Sequence, residues 1–576
     1  MANSNRKQFI PLSIFIIICV ITLLGCIIIY NRDATVTSRY SDGNPDGLTE
    51  MNNLDIKDNP RVYLKDNDDS VQDLYVTIKK SVDNERNYTL DELNDDQDTS
   101  DGGKPAVEVI MQEGNDKGPQ PGYFGFGQDK ANGVMQLRGM SARDVEQKSY
   151  AITLFNNSGL WKGLRRINLN KHQADITRIR NKLSFDFLKT IPDITSCRTQ
   201  FVHLHIKDLT NNSSEFVDYG LFTQVEQVNK KYLKSHGLDP NGYLYKAMDF
   251  EFYRYEDSLK NVDDEGYDKK AFESILEIKG REDHKKLLTM LDDVNDYSKD
   301  INEIIKNHFN RNNYLTWLAA NILLDNVDTY AQNFFLYSPM NSDIWYFLPW
   351  DYDGAWGLYE QSGKMLYKRT PWQGGASNFW SSVLYQRFMK DPENVKQLTE
   401  KIKSLKKIIN RANTNKLLDN YYSIAKKSVY SMPDIQYLPG KVDDFEKEFK
   451  RLSELPELNM KHYLNSLEKP MPFYLGEPES IKGKYNFRWD SSYDFGGNAL
   501  TYCLEVSLKP DFSEDYFKKE GLTSTDCSID KPPQGKYYWR VTAVNSKGKE
   551  QMAFDKYIDD IDNSKVYFGV KSFTVE

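Results

Sequence analysis

Hydrophobic and polar positions change rhythm several times along this chain. Phe9 to Tyr30, FIPLSIFIIICVITLLGCIIIY, is 22 residues without a charge, and as a helix it would be roughly 33 Å long, enough to cross a bilayer. Residues 31–60 are polar, rich in Asn, Asp and Gly, and carry no apolar period, the pattern of a flexible linker. Val71 to Ile78 reads as a strand, and the acidic Leu90 to Asp101 as a solvated loop whose spacing matches no EF-hand. From Ala106, short alternating strands (AVEVIM, VMQLRG, SYAITLF) give way to helical periodicity in ADITRIRNKLSFDFLKTI, and strands return in FVHLHIKDL and VDYGLFTQVEQV. Ile301, Ile304, Ile305, Phe309, Leu315, Leu318 and Ile322 form a buried helical stripe over 301–324, with a break near Arg311 to Asn313. Beyond the proline-bearing Leu467 to Pro472, only short strands recur.

These rhythms predict an α+β fold class: a two-lobed body over 61–467, a small all-β sandwich over 468–576, and an N-terminal transmembrane helix over 9–30. Arg6 and Lys7 precede the apolar run, whereas Arg32 and Asp33 cancel behind it. The positive-inside bias then puts residues 1–8 in the cytoplasm as a tail, makes the membrane a partner through this helix, and leaves the bulk extracytoplasmic. A cleaved signal peptide and a lipobox at Leu23 to Cys26 are the competing readings.

Composition narrows the function classes. At 576 residues the chain has room for two or three folded units, and 37 Tyr with 29 Phe suit packed cores. A net charge of −9 offers no basic field for a phosphate backbone, so nucleic acid is not an expected partner. Of five cysteines, Cys197, Cys503 and Cys527 lie beyond the apolar run without zinc spacing. Cys503 and Cys527 are read either as a pair or as two buried thiols.

Candidate chemistry gathers after the long helix. In DNVDTYAQN, Asp328 and Asn333 are five apart, the spacing of kinase catalytic loops between the Asp that orients an acceptor hydroxyl and the Asn that holds a metal. A strand from Phe334, a turn over 338–343, a strand to Leu348 and then PWDYDGAWG predict a hairpin. The residues flanking an antiparallel pair lie at one end of it, so Asp328, Asn333, Asp351 and Asp353 should converge. Carboxylates gathered in this way repel one another unless a cation sits between them. Mg2+ or Mn2+ bridging nucleotide phosphates meets that need. The competing reading is that Asp351 and Asp353 only hydrogen-bond a tight turn before Gly354.

The segments LRGMSARDVEQKSYAITL, LNKHQADITRIRNKLSFDFL, YGLFTQVEQVNKKYL, GYLYKA, NVDTYAQNFFLY and WYFLPWDYDGAWG resemble the successive blocks of the CotH kinase family, in the family's order. The resemblance implies an atypical kinase fold over about 61–467 that uses ATP and a divalent metal and phosphorylates spore-coat or other surface proteins. It makes Asp328 the catalytic Asp and gives Asn333 a share of the metal; Asp351, which directly follows the strand and matches the family's Trp-Asp, is taken as the principal metal Asp, with Asp353 the second candidate for that place. Lys148 is the expected phosphate-reaching cation and Arg138 the runner-up, while Glu226 lines the nucleotide pocket, pairs with a lysine, or is an ordinary strand carboxylate.

Other features are weaker signals. GYFGFGQ invites a phosphate-cradle reading but lacks the G-x-G-x-x-G order and also fits a turn. His203 and His205 share one face of a strand, with no third metal ligand visible nearby. FRWDSS, LTYCLEVS and GKYYWRVTAVNSKG resemble fibronectin type III or related sandwich modules, making Trp489 and Trp539 core residues or, in the alternative, a glycan platform. The expected function is a protein kinase acting on Ser or Thr of surface or spore-coat proteins. A non-catalytic surface scaffold is the alternative, and a wall-active enzyme lacks an identifiable carboxylate pair.

Overall fold

Apolar residues at every second position let a run of short strands curl around one core. The structure, a computed structural model, describes residues 55–66, 69–79, 88–96, 105–139, 143–362, 369–560, 562 and 564–576. Its first strands are β1 (Val71–Ile78), β2 (Val107–Asn115), β3 (Gly118–Pro119), β4 (Gly133–Leu137), β5 (Tyr150–Leu154), β6 (Arg166–Asn170), β7 (Thr199–Asp208) and β8 (Val217–Val225). They follow the order β1-β7-β8-β6-β5-β4-β2, with β3 appended to β2, and β1 also pairs with β2, so seven strands close into a barrel. Closure removes free sheet edges. Only the β1–β7 pairing within the ring is parallel. Val76, Val109, Met135, Ile152, Ile167 and Leu204 fill the interior.

The stretch read as an acidic loop begins instead as a short helix, Leu90–Asp95. Thr89 and Glu92 form a capping box, and Leu90 and Leu93 enter the barrel core. Residues 97–104 lie outside the described residues.

A second, larger core holds a four-stranded sheet and most of the helices. The sheet runs β10 (Leu276–Ile278), β9 (Tyr243–Ala247), β11 (Phe334–Ser338), β12 (Tyr346–Pro349). Three helices matter for the site: α1 (Arg180–Leu188), α2 (Ile301–His308) and α3 (Arg311–Leu324). The expected break between α2 and α3 falls at Phe309–Asn310, where the Asn310 side chain accepts from the Asn313 amide and starts the new helix. Every residue of α3 from Asn313 to Leu324 is buried, so it runs through the core as a central rod.

The C-terminal strands form a three-stranded and a five-stranded antiparallel sheet over a third core containing Phe487, Trp489, Leu504, Trp539 and Val541, and Lys556–Ile558 pairs with Val566–Phe568 as a separate two-stranded ribbon. Trp489 and Trp539 are both buried in it. Cys503 and Cys527 are free thiols. The proline-bearing segment before these strands is packed: Met471 belongs to the second core, Trp380 stacks on Tyr493 at 5.5 Å, and Trp372 meets Phe554 edge-on. The end of the expected linker is also fixed, because Ile56 is buried and Asp58 accepts from the His236 ring at 2.6 Å.

One expectation is corrected. Phe9–Tyr30 lies outside the described residues, and among the described residues no helix is long and apolar enough to cross a membrane. The fold class shown by the described residues is therefore the α+β architecture above, with no membrane-spanning helix among them. The single-pass localisation and the membrane partner that rested on that helix lose their support.

Candidate active site

The site is assembled at the end of α3 and at the open end of the β11–β12 hairpin. Helix α3 stops because Asp325 adopts a left-handed backbone (φ 51°) and is gripped by both terminal nitrogens of Arg369 at 2.8 Å. A single 3-10 turn, Val327–Thr329, then presents Asp328. Strands β11 and β12 pair antiparallel with Phe334 opposite Pro349, so Asn333 before the first strand and Trp350–Asp351 after the second emerge at the same end. Both chain reversals are tight: Asn333 (φ 61°) and Asp351 (φ 53°) are left-handed. Asn tolerates that region better than most residues and Asp nearly as well, one physical reason for these residue types here.

Asp328 and Asp351 both feel the charge of Asp353. Burial pushes the Asp328 carboxyl up to about 6, the Asp353 charge adds to the rise, and a hydrogen bond from the Tyr359 hydroxyl (2.6 Å) opposes it. Burial likewise pushes Asp351 up to about 7, again with Asp353 repelling, while Arg138, Lys246 and His172 pull it down. Asp353 is thus the shared neighbour, half-exposed at 47%, with His172 Nδ1 3.6 Å from it. Gly354 allows the close approach: a Cβ at this position would lie 2.4 Å from Asp328 Oδ2, so any side chain there would displace the carboxylate.

The cationic side comes from two different sheets. Arg138, just past β4 on the barrel rim, lies over the Trp350 ring at 5.9 Å. Its guanidinium is lowered by burial to about 10 and is sustained by Asp351 and Asp353. Lys246, on β9 beside Phe335 of β11, is lowered by burial and sustained by Glu277 and Asp351. Helix α1 ties the loop to the barrel: Asn181 accepts from the Tyr352 amide (3.2 Å) and contacts the His172 ring (3.3 Å). Arg180 Nε donates to the Trp356 carbonyl (3.2 Å) while its terminal nitrogens are paired with Asp175 and Glu448.

The hairpin therefore brings Asp328, Asn333, Asp351 and Asp353 to one end of the sheet, and Arg138 joins them. Two expected residues have other partners. The Lys148 ammonium donates to the Arg143 carbonyl at 2.6 Å. Glu226 accepts from His236 Nε2 (3.0 Å) and the Arg198 amide (3.2 Å) and, among the described residues, pairs with no lysine; it lines a cavity of about 200 Å³ together with Arg166 and Arg198. Gly122, Gly125 and Gly127 form successive turns bound to β2 through the Phe124 carbonyl, which accepts from the Glu113 amide (2.9 Å). The sequence reading missed Lys246, His172 and Tyr359, and took Gly354 only as the end of a tight turn. Lys246 stands in GYLYKA and His172 in LNKHQAD, but only the packing of barrel against sheet singles them out.

Three partly exposed carboxylates, two of them displaced towards the neutral form and all flanked by two cations, offer oxygen donors to a divalent ion whose remaining ligands would be the phosphates it bridges. Hard oxygen donors of this kind suit Mg2+ or Mn2+.

Comparison with known proteins gives three likenesses. The profile described as CotH kinase protein matches residues 135–463. The inner spore coat protein H of Bacillus subtilis (strain 168) is 27% identical over 247 residues, covering 42% of this chain and 64% of that protein's own length. A solved structure, the Helicobacter pylori proinflammatory kinase CtkA, aligns over 60% of this chain and 95% of its own, at 10% identity and a TM-score of 0.23.

Proposed function

This chain belongs to the CotH kinase protein family, and from that premise we propose that it transfers the γ-phosphate of ATP to Ser or Thr hydroxyls of spore-coat or other surface proteins, with Mg2+ or Mn2+. The observation that carries the reading is the common neighbourhood of Asp328, Asp351 and Asp353 opposite Arg138 and Lys246. Phosphoryl transfer asks little covalent chemistry of a protein and much positioning and charge balance.

Each residue then has a task. Asp328 orients the acceptor hydroxyl and takes its proton on the carboxylate oxygen left free by Tyr359. At about 6 its pKa leaves it mostly ionised near neutrality yet basic enough to receive that proton. Asp351 is the principal metal ligand, with Asp353 and Asn333 completing the oxygen donors. Arg138 and Lys246 hold phosphate oxygens from the barrel side and the sheet side. When bound, the metal nucleotide supplies the transferable phosphoryl group and neutralises the charge that develops on it. We take residues 61–467 as the phosphotransfer body and 468–576 as an accessory module.

The test is phosphate incorporation by the full chain from labelled ATP with Mn2+ or Mg2+. Wild type should label itself or a coat-protein substrate, and Asp328→Asn and Asp351→Asn should each lose at least about 10³-fold in rate. Unchanged labelling in both variants would overturn the reading. No labelling by wild type, with partner binding intact in Asp328→Ala, would turn the assignment to a scaffold.

A further inference from the structure

Two imidazoles and two carboxylates meet on the outer face of the barrel, and none of them belongs to the site described above. His203 and His205 stand two apart on β7 and leave the interior to Leu204. The sequence offers no third ligand nearby, because that ligand arrives from more than a hundred residues upstream. The parallel β1–β7 register places Asp73 directly beside His203, and Tyr75 beside His205. Asp73 Oδ1 is 3.1 Å from His205 Nε2 and 3.6 Å from His203 Nδ1. All three donor atoms lie within 4.8 Å of one another, and among the described residues this is the group of His, Cys, Asp or Glu that meets such a spacing.

The surrounding chain holds these donors in place. Strand β8 carries one extra residue opposite β7 between His203 and His205, and the bulge turns at Gly220 (φ 77°). Within that bulge Asp218 Oδ1 accepts from the Gly220 amide (2.6 Å) and from His203 Nε2 (2.8 Å). In the neutral ring a proton on Nε2 leaves the lone pair of Nδ1 directed at the Asp73 carboxylate, acceptor facing acceptor, an arrangement relieved by a second proton on the ring or by a metal ion between the two. A carboxylate behind a histidine in this way is the usual orienting partner of a metal-bound imidazole. The Tyr75 ring lies flat on His205 at 4.5 Å and 9°, fixing the second imidazole.

Ligands at about 2.0–2.1 Å around a tetrahedral Zn2+ stand about 3.3 Å apart, and the two donor separations to Asp73 bracket that distance. Imidazole and carboxylate donors select a borderline-soft ion of the zinc class over Mg2+. We propose that Asp73, His203 and His205 bind a divalent transition-metal ion of the Zn2+ class, with Asp218 orienting His203 and the fourth position open to solvent. The ion would clip β1 to β7 and so lock the strand that closes the barrel.

The test is Zn2+ titration of the chelator-stripped full chain by calorimetry, with Co2+ absorption as a report of tetrahedral geometry. Wild type and Asp351→Asn should each bind one ion at this site with the intense visible bands of tetrahedral cobalt. His203→Ala, His205→Gln and Asp73→Asn should each weaken binding at least tenfold, and Asp218→Asn by about tenfold, with circular dichroism confirming the fold. Absence of Zn2+ binding by wild type, binding lost only in Asp351→Asn, or unchanged binding in the histidine variants would overturn the proposal. The wild-type stoichiometry and cobalt spectrum do not depend on whether any variant folds.

Discussion

At Asp351 the stability of the fold is set against the metal-binding role proposed for the same side chain. Burial raises its folded-state pKa from 3.8 to about 7, so the folded protein binds this proton more tightly than the unfolded chain does. The associated stability is fully present below about pH 4 and is lost as pH rises through 7. In the absence of divalent metal, Asp351→Asn, which carries no charge to bury, should be more stable than wild type at pH 7.5 by roughly 1–3 kcal/mol and no more stable at pH 4. Urea melts at the two pH values check this, and equal stabilities at pH 7.5 would remove the buried-charge argument. Asp328 and Asp351 were legible as residues because an Asp and an Asn five apart, followed by a hairpin and a second acidic pair, form a local pattern. Lys246 was not legible: its place depends on β9 pairing with β11, a contact across nearly ninety residues that no local spacing encodes. Lys148 illustrates the same gap, since a lysine beside a strand shows no sign in the sequence that a carbonyl five residues earlier will take its ammonium.

Among the elements, α1 does the most to hold the site in register. Its first residue, Arg180, is fully buried between Asp175 and Glu448, and it also donates to Trp356 in the DYDGAWG loop. Glu448 lies on a fourth helix, α4 (Val442–Leu452), so this guanidinium joins the barrel side, the loop and the C-terminal helices. Removing one partner from a buried ionic network leaves the others uncompensated, at a cost of about 3–5 kcal/mol. Arg180→Met should lower stability by that amount, whereas Lys396→Met, which opens an exposed pair with Glu393, should change it by less than about 1 kcal/mol. Denaturant melts of the two variants decide it, and equal effects would contradict the network. The sequence marked the strands and the hairpin well, because period-two alternation is a local signal. It marked α3 through its apolar stripe but placed the break a few residues late, since Asn310 as a cap outweighed the polar Arg311 to Asn313 run. The capping box at Thr89 and Glu92 was present in the sequence, yet acidity hid it in a stretch read as loop.

For the whole molecule, barrel closure is the feature furthest from sequence reading. It needs β1 to pair in parallel with β7 and antiparallel with β2, and the family match begins only at residue 135, within β4. The strands that complete the ring therefore lie outside the matched region. The C-terminal sandwich shares aromatic contacts with the helical body through Trp372 and Trp380, so residues 55–576 hold together as one compact unit. In this unit the barrel supplies Arg138, the sheet supplies Lys246, and the hairpin end supplies the carboxylates, and the phosphotransfer proposed above requires all three to meet. Calorimetric binding of a non-hydrolysable ATP analogue with Mn2+ tests that most directly. Asp351→Asn and Lys246→Met should each weaken binding at least tenfold while Lys148→Met binds as wild type; wild-type affinity in Asp351→Asn, or a loss confined to Lys148→Met, would contradict the account.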